Sequence, residues 1–222
     1  MCGRFTLATD LEQIEERFSF HAANRSLTPR YNIAPSQAVF AIIGDEAGNR
    51  GGLLRWGLIP SWAKEAAIGN RMINARAETI AEKPSFRRAL QKRRCLIVAD
   101  GFYEWRQEGK KKTPIFIRLA SRAPFAFAGL WETWRPPDDE AIHSCTIITT
   151  TPNTLMASIH NRMPVILTPE AETVWLDRTS TEPETLLPLL APYPETEMEA
   201  YEVALTVNSP RNDSPACIAP VR

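Results

Sequence analysis

Residues 95–130 read Cys95-Leu-Ile-Val-Ala-Asp-Gly-Phe-Tyr-Glu-Trp-Arg-Gln-Glu-Gly-Lys-Lys-Lys-Thr-Pro-Ile-Phe-Ile-Arg-Leu-Ala-Ser-Arg-Ala-Pro-Phe-Ala-Phe-Ala-Gly-Leu130 and contain four apolar runs in quick succession. These runs predict strands at Cys95 to Ala99, Phe102 to Arg106, Pro114 to Leu119 and Phe125 to Leu130, separated by Gly, Pro or charged residues. Because strand follows strand without a helix between them, we expect the strands to pair antiparallel.

The same pattern extends to both sides of this segment. Further strands are predicted at residues 38–43, Leu53 to Leu58, Cys145 to Thr150, Pro164 to Leu167 and Tyr201 to Val207. Short helices are predicted from a Thr9/Glu12 capping box through Phe18, from Phe86 to Lys92 after Ser85, near Asn153 to Ser158, from Pro169 to Leu176 after Thr168, and near Pro183 to Leu190. The predicted fold class is α+β, a mostly antiparallel, barrel-like sheet flanked by short helices, in a single domain over residues 1–222.

The composition excludes several function classes. Hydrophobic residues make up 44% and charged residues 23% of the 222 residues, as in an ordinary globular protein. No apolar run approaches the ~18 residues of a membrane span, so no membrane association is expected. The four cysteines and three histidines are scattered, which argues against a metal site, and no cofactor is indicated. Free thiols indicate a reducing compartment, so we expect a cytoplasmic protein, associated with the nucleoid if the source is bacterial. We also expect the protein to be a monomer.

The charge is unevenly distributed although its net value is zero. Residues 1–118 carry 20 Lys and Arg against 12 Asp and Glu, a net charge of +8, and residues 119–222 carry −8. Basic runs occur at residues 87–94 and 110–112. Either these runs are solvated helix and turn surfaces, or the basic half meets a polyanion.

The N-terminal stretch Met1-Cys2-Gly3-Arg4-Phe5 places a cysteine one removable residue from the chain start. Removal of Met1 would leave a free α-amine and a thiol on Cys2, a combination that no internal cysteine offers. The alternative is that Cys2 is simply an early, half-buried residue.

Four further segments combine polar groups with constrained surroundings. In 55–62, two indoles flank a Gly/Pro bend, and in 74–79 a strand would place Asn74, Arg76 and Glu78 on one face. In 100–105, Glu104 stands among three aromatic residues, an environment that raises the pKa of a carboxyl group and suits a general acid or base. In 159–164, His160 has polar neighbours. Each signal also has a structural interpretation: core tryptophans, a surface glutamate or a satisfied histidine.

Taken together, these motifs resemble those of the SRAP (SOS response-associated peptidase) family of abasic-site processing proteins. The matching motifs are residues 1–5, 31–35, 55–60, 74–79, 101–105 and 160–164, and the likeness continues to residues 207–211. The resemblance implies the SRAP fold and covalent crosslinking to abasic sites in single-stranded DNA through Cys2, as part of the DNA damage response. It also implies removal of Met1 by the protein itself, and a lyase side activity.

The resemblance also implies roles for individual residues. Cys2 would form a thiazolidine with the abasic aldehyde, Glu104 and His160 would handle protons, and Asn74 would orient the ring or the sugar. Further residues are expected to contact DNA: Arg4, Arg76 and Arg162 at phosphates, Trp62 or Phe86 by stacking on a base, and Asn32 and Trp105 from the matching motifs.

Two other classes remain open on the sequence. Glutamine amidotransferases with an N-terminal nucleophile share Cys2 and Gly3 with this chain, but they normally carry a second domain. A non-covalent reader of single-stranded DNA, in which Cys2 is incidental, would bind an abasic oligonucleotide without a stable adduct.

Overall fold

The secondary structure consists mainly of β-strands joined by short helices and turns. A computed structural model describes residues 2–22, 26–46, 48–136 and 140–221. Its strands are β1 (Phe5–Leu7), β2 (His21–Ala22), β3 (Arg30–Ile33), β4 (Ala38–Asp45), β5 (Gly48–Trp56), β6 (Asn74–Arg76), β7 (Arg94–Ala99), β8 (Gly101–Glu108), β9 (Lys111–Leu119), β10 (Phe125–Trp134), β11 (Ile142–Thr150), β12 (Met163–Pro164) and β13 (Met198–Glu202). Its α-helices are α1 (Leu11–Phe18), α2 (Arg87–Lys92), α3 (Thr154–Ala157), α4 (Pro169–Leu176) and α5 (Pro183–Leu186), none of them long and apolar enough to cross a bilayer.

Five of the strands close into a barrel. β4 pairs with β5, β5 with β11, β11 with β10, β10 with β7, and β7 returns to β4. Four of these pairings are antiparallel, and the parallel one is short, with Arg55 opposite Ser144 and Trp56 opposite Cys145. The predicted fold class, α+β with a mostly antiparallel, barrel-like sheet, is therefore confirmed.

A second sheet, in the order β13-β9-β8-β1-β3, holds the N-terminal strand against the barrel. Phe5 of β1 contacts Trp56 and Phe127 edge to face, with ring centroids 5.1 and 5.7 Å apart. Phe102 of β8 contacts Phe127 in the same manner at 5.9 Å. All four side chains are fully buried. The residues before Phe5 are thus anchored to a core that both sheets share.

A tight bend after β5 leads into the loop that carries Trp62. Gly57 has a φ of +124°, a conformation that side chains disfavour. A Cβ atom at this position would lie 2.7 Å from the carbonyl oxygen of Gly69, so only glycine permits this close approach. The Leu58 N–H donates to the Met72 carbonyl (3.1 Å), which ties the two ends of the loop together.

Most predicted elements are present with shifted ends. α4 has the predicted bounds, and the Thr168 hydroxyl accepts from the Ala171 N–H as predicted. The strand expected at Leu53 to Leu58 is the second half of β5, which begins at Gly48. The predicted final helix ends as an α-helix at Leu186 and continues as a 3-10 turn through Leu189.

Both predictions for the caps of the first two helices are wrong. Asp10, not Thr9, caps α1 by accepting from the Gln13 N–H (2.9 Å), because the Thr9 hydroxyl donates to Asp100 instead (3.1 Å). α2 begins after Phe86 without a side-chain cap, so Ser85 has no capping role.

Two predicted strands also end differently. β13 covers Met198–Glu202, and residues 205–208 of the expected strand form a 3-10 turn. β6 stops at Arg76 and a 3-10 turn follows, so Glu78 does not continue the strand face of Asn74 and Arg76. The short strands β1 and β3 were not predicted, since three or four residues carry too little periodicity to identify a strand.

Candidate active site and nucleic-acid interface

The N-terminal segment places Cys2 beside Glu104. β1 runs antiparallel to β8, and the Tyr103 N–H donates to the Arg4 carbonyl (2.9 Å) just before the strand begins. Residues that precede Arg4 therefore run alongside those that follow Tyr103. Cys2 is fully buried and Glu104 is 3% exposed, so both groups lie inside the protein. Met1, whose removal is predicted, lies outside the described residues.

Asn74 holds the backbone of Cys2. It lies at the start of β6, which pairs in parallel with β11 and places Asn74 opposite Ile147. The Asn74 Nδ2 donates to the Cys2 carbonyl oxygen (2.9 Å). The Asn74 Oδ1 is buried and makes no hydrogen bond within the described residues, so an acceptor remains available beside Cys2.

Burial sets the protonation of the two central groups. It raises the pKa of the Cys2 thiol, and the nearby Glu104 carboxylate raises it further, against the opposing effect of the Arg4 backbone N–H. Burial also raises the pKa of Glu104, while the charge of His160 acts in the opposite direction. The thiol is consequently protonated at neutral pH, and Glu104 is a stronger base than an exposed carboxylate.

His160 reaches the site from the loop between α3 and β12. Its backbone N–H donates to the Met156 carbonyl (2.7 Å), which fixes the loop to α3. The Arg162 N–H donates to the ring Nδ1 (3.1 Å), and the Arg162 carbonyl oxygen lies 3.2 Å from the same atom. When Nδ1 accepts in this way, the neutral ring carries its proton on Nε2.

Arg162, predicted to contact phosphate, is engaged inside the protein. Its Nη1 and Nη2 donate to the two carboxylate oxygens of Glu78 at 2.6 and 2.9 Å, and Nη2 also donates to the Thr149 carbonyl (2.7 Å). The Arg162 side chain is 14% exposed. Arg76, the other arginine of this region, is exposed.

Arg4 and Trp105 form a half-buried pair at the edge of this site. The Arg4 guanidinium lies 5.7 Å from the centre of the Trp105 ring, a cation–π distance. Its Nη1 also donates to the Val207 carbonyl (2.8 Å), and the Trp105 Nε1 donates to Asn208 Oδ1 (2.8 Å). The C-terminal segment thus supports two of the predicted DNA contacts.

Asn32 is completely buried and reaches no surface. Its Oδ1 accepts from Arg4 Nη1 (2.7 Å). Its Nδ2 lies within hydrogen-bond distance of three carbonyl oxygens, those of Val207, Ser209 and Asn212, at 3.1, 3.0 and 2.7 Å. These contacts give Asn32 a structural role, joining β3 to the C-terminal segment and orienting Arg4.

The two predicted stacking residues differ in exposure. Trp62 is 60% exposed and borders a surface pocket of about 310 Å³ that Lys64 and Arg71 also line. Phe86 is half-buried and packs against the main hydrophobic core. Trp62 therefore offers an open ring face, whereas part of the Phe86 side chain is already used in packing.

Two further residues support this site, Glu78 and Asn208, and neither was among the predicted site residues. Glu78 stands 84 positions from its partner Arg162, and Asn208 stands 103 positions from Trp105. Only the polar alternation of residues 74–79 hinted at Glu78. Among the described residues, no group of three or more His, Cys, Asp or Glu side chains is placed to hold a metal ion.

Comparison with known proteins identifies the family. Residues 1–210 match the family described as SOS response associated peptidase (SRAP). The chain belongs to the SRAP family. It is similar to the abasic site processing protein YoqW of Bacillus subtilis, with 53% identity over 98% of this chain and 99% of the relative. It is 34% identical to the abasic site processing protein HMCES of Xenopus tropicalis, over 76% of this chain and 56% of that protein.

Solved structures show the same SRAP architecture. A crystal structure of a protein from Bacteroides thetaiotaomicron has a TM-score of 0.91 and 29% identity, with all of both chains covered. A second crystal structure, of a protein from Bordetella bronchiseptica, has a TM-score of 0.78 and 27% identity over 92% of this chain and all of that one.

Proposed function

We propose that this chain processes abasic sites in DNA by forming a covalent crosslink through Cys2. One observation carries the proposal: Cys2 is buried beside Glu104, its carbonyl is held by Asn74, and the charge of His160 acts on the same carboxylate. Relatives of this chain are named abasic site processing proteins, which supports the same substrate class.

The first step uses the amine that removal of Met1 would expose on Cys2. An abasic deoxyribose spends part of its time as an open-chain aldehyde, and a neutral amine adds to its carbon and loses water to give an imine. An α-amine has a pKa of about 8 and a lysine amine about 10.4, so at neutral pH the α-amine is roughly two hundred-fold more often neutral. The terminal position therefore favours this nucleophile over any lysine.

The second step uses the thiol. A bond forms between sulfur and the imine carbon, the S–H proton ends on the imine nitrogen, and a five-membered thiazolidine closes. Since the pKa of the buried thiol is raised, the proton has to leave as the bond forms. Glu104 accepts this proton and passes it to the imine nitrogen. His160 acts before the first step: it gives a proton to the sugar ring oxygen while the anomeric hydroxyl loses one, which opens the ring to the aldehyde.

The DNA contacts follow from the exposed groups around this centre. A single strand offers phosphates and unpaired bases. Arg76 is an exposed cation that would contact a phosphate, and Trp62 is an exposed aromatic ring that would stack on a base. Arg4 and Trp105 form a half-buried pair at the edge of the site, and Arg162, although held by Glu78 and Thr149, would reach a phosphate through the remaining N–H of Nη1. This lesion-directed binding needs a charged groove and not a strongly basic protein, in agreement with a net charge of zero.

Removal of Met1 precedes crosslinking in this proposal, and the peptidase activity in the family description would consist of this removal. Cleavage of the abasic strand by β-elimination from the imine would be a side reaction, since the thiazolidine removes the imine that elimination requires.

The test is a denaturing gel of the protein with abasic single-stranded DNA, comparing wild type, Cys2→Ala and Cys145→Ala. Cys145 is a suitable control because it is as fully buried as Cys2 but lies in the barrel wall. Wild type and Cys145→Ala should give a denaturant-resistant band whose mass equals protein without Met1 plus DNA minus one water. Cys2→Ala should give none.

Three results would contradict the proposal. A stable adduct with Cys2→Ala would exclude the aminothiol mechanism. Glutaminase activity without any DNA adduct would indicate a hydrolase of the amidotransferase type. Binding of abasic DNA without a denaturant-resistant band would indicate a non-covalent reader.

A further inference from the structure

We propose that Glu78 is a positioning residue of this site, which acts through Arg162 on the proton state of His160. The inference rests on the proposed function for its consequence in crosslinking, but its structural part can be tested without DNA. Glu78 itself is 45% exposed on its side chain and has no contact with Cys2 among the described hydrogen bonds.

The first step of the argument is the clamp on the Arg162 side chain. Both terminal nitrogens of the guanidinium donate to the two oxygens of Glu78, the paired geometry in which an arginine is held in one plane. The same guanidinium donates to the Thr149 carbonyl, which belongs to β11 of the barrel wall. The Arg162 side chain is therefore fixed between the 3-10 turn at Ala77–Thr79 and a barrel strand.

The second step is the contact between the Arg162 backbone and the His160 ring. Nδ1 lies 3.1 Å from the Arg162 nitrogen and 3.2 Å from its carbonyl oxygen, so one residue presents both a donor and an acceptor to one ring atom. On the other side, the His160 backbone is tied to Met156 (2.7 Å). The position of Arg162 thus decides whether both contacts are within reach of Nδ1.

The third step connects these contacts to proton transfer. When Nε2 carries the proton, Nδ1 has a lone pair and accepts from the Arg162 N–H. Before Nε2 can give its proton to a substrate, Nδ1 takes up a proton from solvent, and the resulting imidazolium donates from Nδ1 to the Arg162 carbonyl. Transfer of the Nε2 proton to the substrate then leaves a neutral ring with its proton on Nδ1. A proton donor at Nε2 needs both arrangements in turn, and the clamp keeps both within reach. Without Glu78, Thr149 is the one hydrogen-bond partner that the Arg162 side chain retains among the described residues.

A competing interpretation is that Glu78 is merely a negative charge near the DNA. Removing that charge would strengthen binding to phosphates and leave the rate of the bound complex unchanged. Substitution of Glu78 should therefore change the maximal crosslinking rate if Glu78 is a positioning residue, and the half-saturating DNA concentration if it is only a nearby charge.

The kinetic test measures single-turnover crosslinking at increasing concentrations of abasic single-stranded DNA for wild type, Glu78→Gln, Arg162→Gln and the double variant. We expect Glu78→Gln to lower the maximal rate about tenfold without raising the half-saturating DNA concentration, as for the loss of a partly exposed charged hydrogen bond. The double variant should be no slower than Arg162→Gln alone, because Glu78 acts through Arg162. Glu82→Gln, which removes a charge from an exposed neighbour, is the matched control and should match wild type.

A second readout needs no DNA. At about pH 8.5, where an imidazole is neutral, nitrogen-15 shifts of the His160 ring should show the proton on Nε2 in wild type and a mixture of tautomers in Glu78→Gln. Glu78→Asp, which keeps the carboxylate, should restore part of the wild-type pattern.

The inference is overturned if Glu78→Gln leaves the maximal rate and the His160 tautomer unchanged, or if its effect on rate is the same in the Arg162→Gln background. Failure of the proposed function would look different, since wild type itself would then form no adduct while the tautomer measurement still reports on the clamp.

Discussion

Asn32 offers a quantitative test of how this site is supported. Asn32→Ala removes the acceptor of Arg4 Nη1 and the amide that serves Val207, Ser209 and Asn212. The amide has only two N–H groups for three carbonyls, so one proton is shared, and about three hydrogen bonds are lost in total. Each contributes roughly 0.5–1.5 kcal/mol, and carbonyls left buried without water add to the loss. We therefore expect the free energy of unfolding to fall by about 3 kcal/mol.

Urea denaturation and a thermal scan measure this change. For a chain of this size, about 3 kcal/mol corresponds to a fall in Tm of roughly 6–12 °C. Asn208→Ala is the matched comparison because its side chain is exposed and, within the described part of the chain, accepts from Trp105 alone, so its cost should stay below about 1 kcal/mol.

The refuting result is specific. If Asn32→Ala keeps its stability within about 0.5 kcal/mol of wild type but loses affinity for single-stranded DNA, Asn32 is a DNA contact and the structural role is wrong. If stability falls as expected, any loss of affinity at a temperature where the variant is folded follows from a displaced Arg4.

Two further variants test the electrostatics of the site and the DNA surface. Burial raises the folded-state pKa of Glu104, so its ionised form costs stability at a pH above the ordinary value of about 4.3 and costs none below it. Glu104→Gln should therefore raise the Tm at pH 7 but not at pH 4 while it slows crosslinking, and a Tm difference independent of pH would contradict this account. Trp62→Ala should weaken binding to single-stranded DNA by about 1–3 kcal/mol, measured by fluorescence anisotropy. Because Trp62 is 60% exposed, the free energy of unfolding of the Trp62→Ala variant should differ little from that of wild type. Leu53→Ala is the control: Leu53 is 50% exposed, and its substitution should leave the affinity for DNA unchanged. Equal losses of affinity in the two variants would exclude stacking by Trp62.

The burial of the groups around Cys2 lowers the stability of the fold and at the same time favours the proposed reaction. Burial of the Glu104 carboxylate is unfavourable for folding, because its ionised form loses its hydration and the neighbouring thiol is neutral. The same burial keeps the thiol protonated until an electrophile arrives and makes Glu104 a better base. In the proposed mechanism, the cationic imine that forms on Cys2 would relieve this imbalance, since it brings a positive charge next to the carboxylate.

Several features of this protein could be predicted from the sequence because their causes are local. The strands between residues 95 and 130 follow from apolar runs bounded by turn residues, and α4 follows from Thr168 ahead of Pro169. The environment of Glu104 was also predicted correctly, because its burial comes from the aromatic strand in which it lies. The family could be identified because its motifs stand in order along the chain.

Other features depended on contacts between distant segments. Thr9 has the sequence of a helix cap, but Asp100 binds its hydroxyl, so Asp10 caps the helix instead. Arg162 looks like a free phosphate ligand until the fold places Glu78 against it across 84 positions. Local propensities describe which conformations a segment favours, whereas partners for buried polar groups are chosen only when strands and loops from separate parts of the chain meet. For this reason the family motifs in the sequence could indicate Cys2, Asn74, Glu104 and His160 as candidates, whereas only the tertiary structure shows that Asn74 holds the Cys2 carbonyl and that Arg162 contacts the His160 ring.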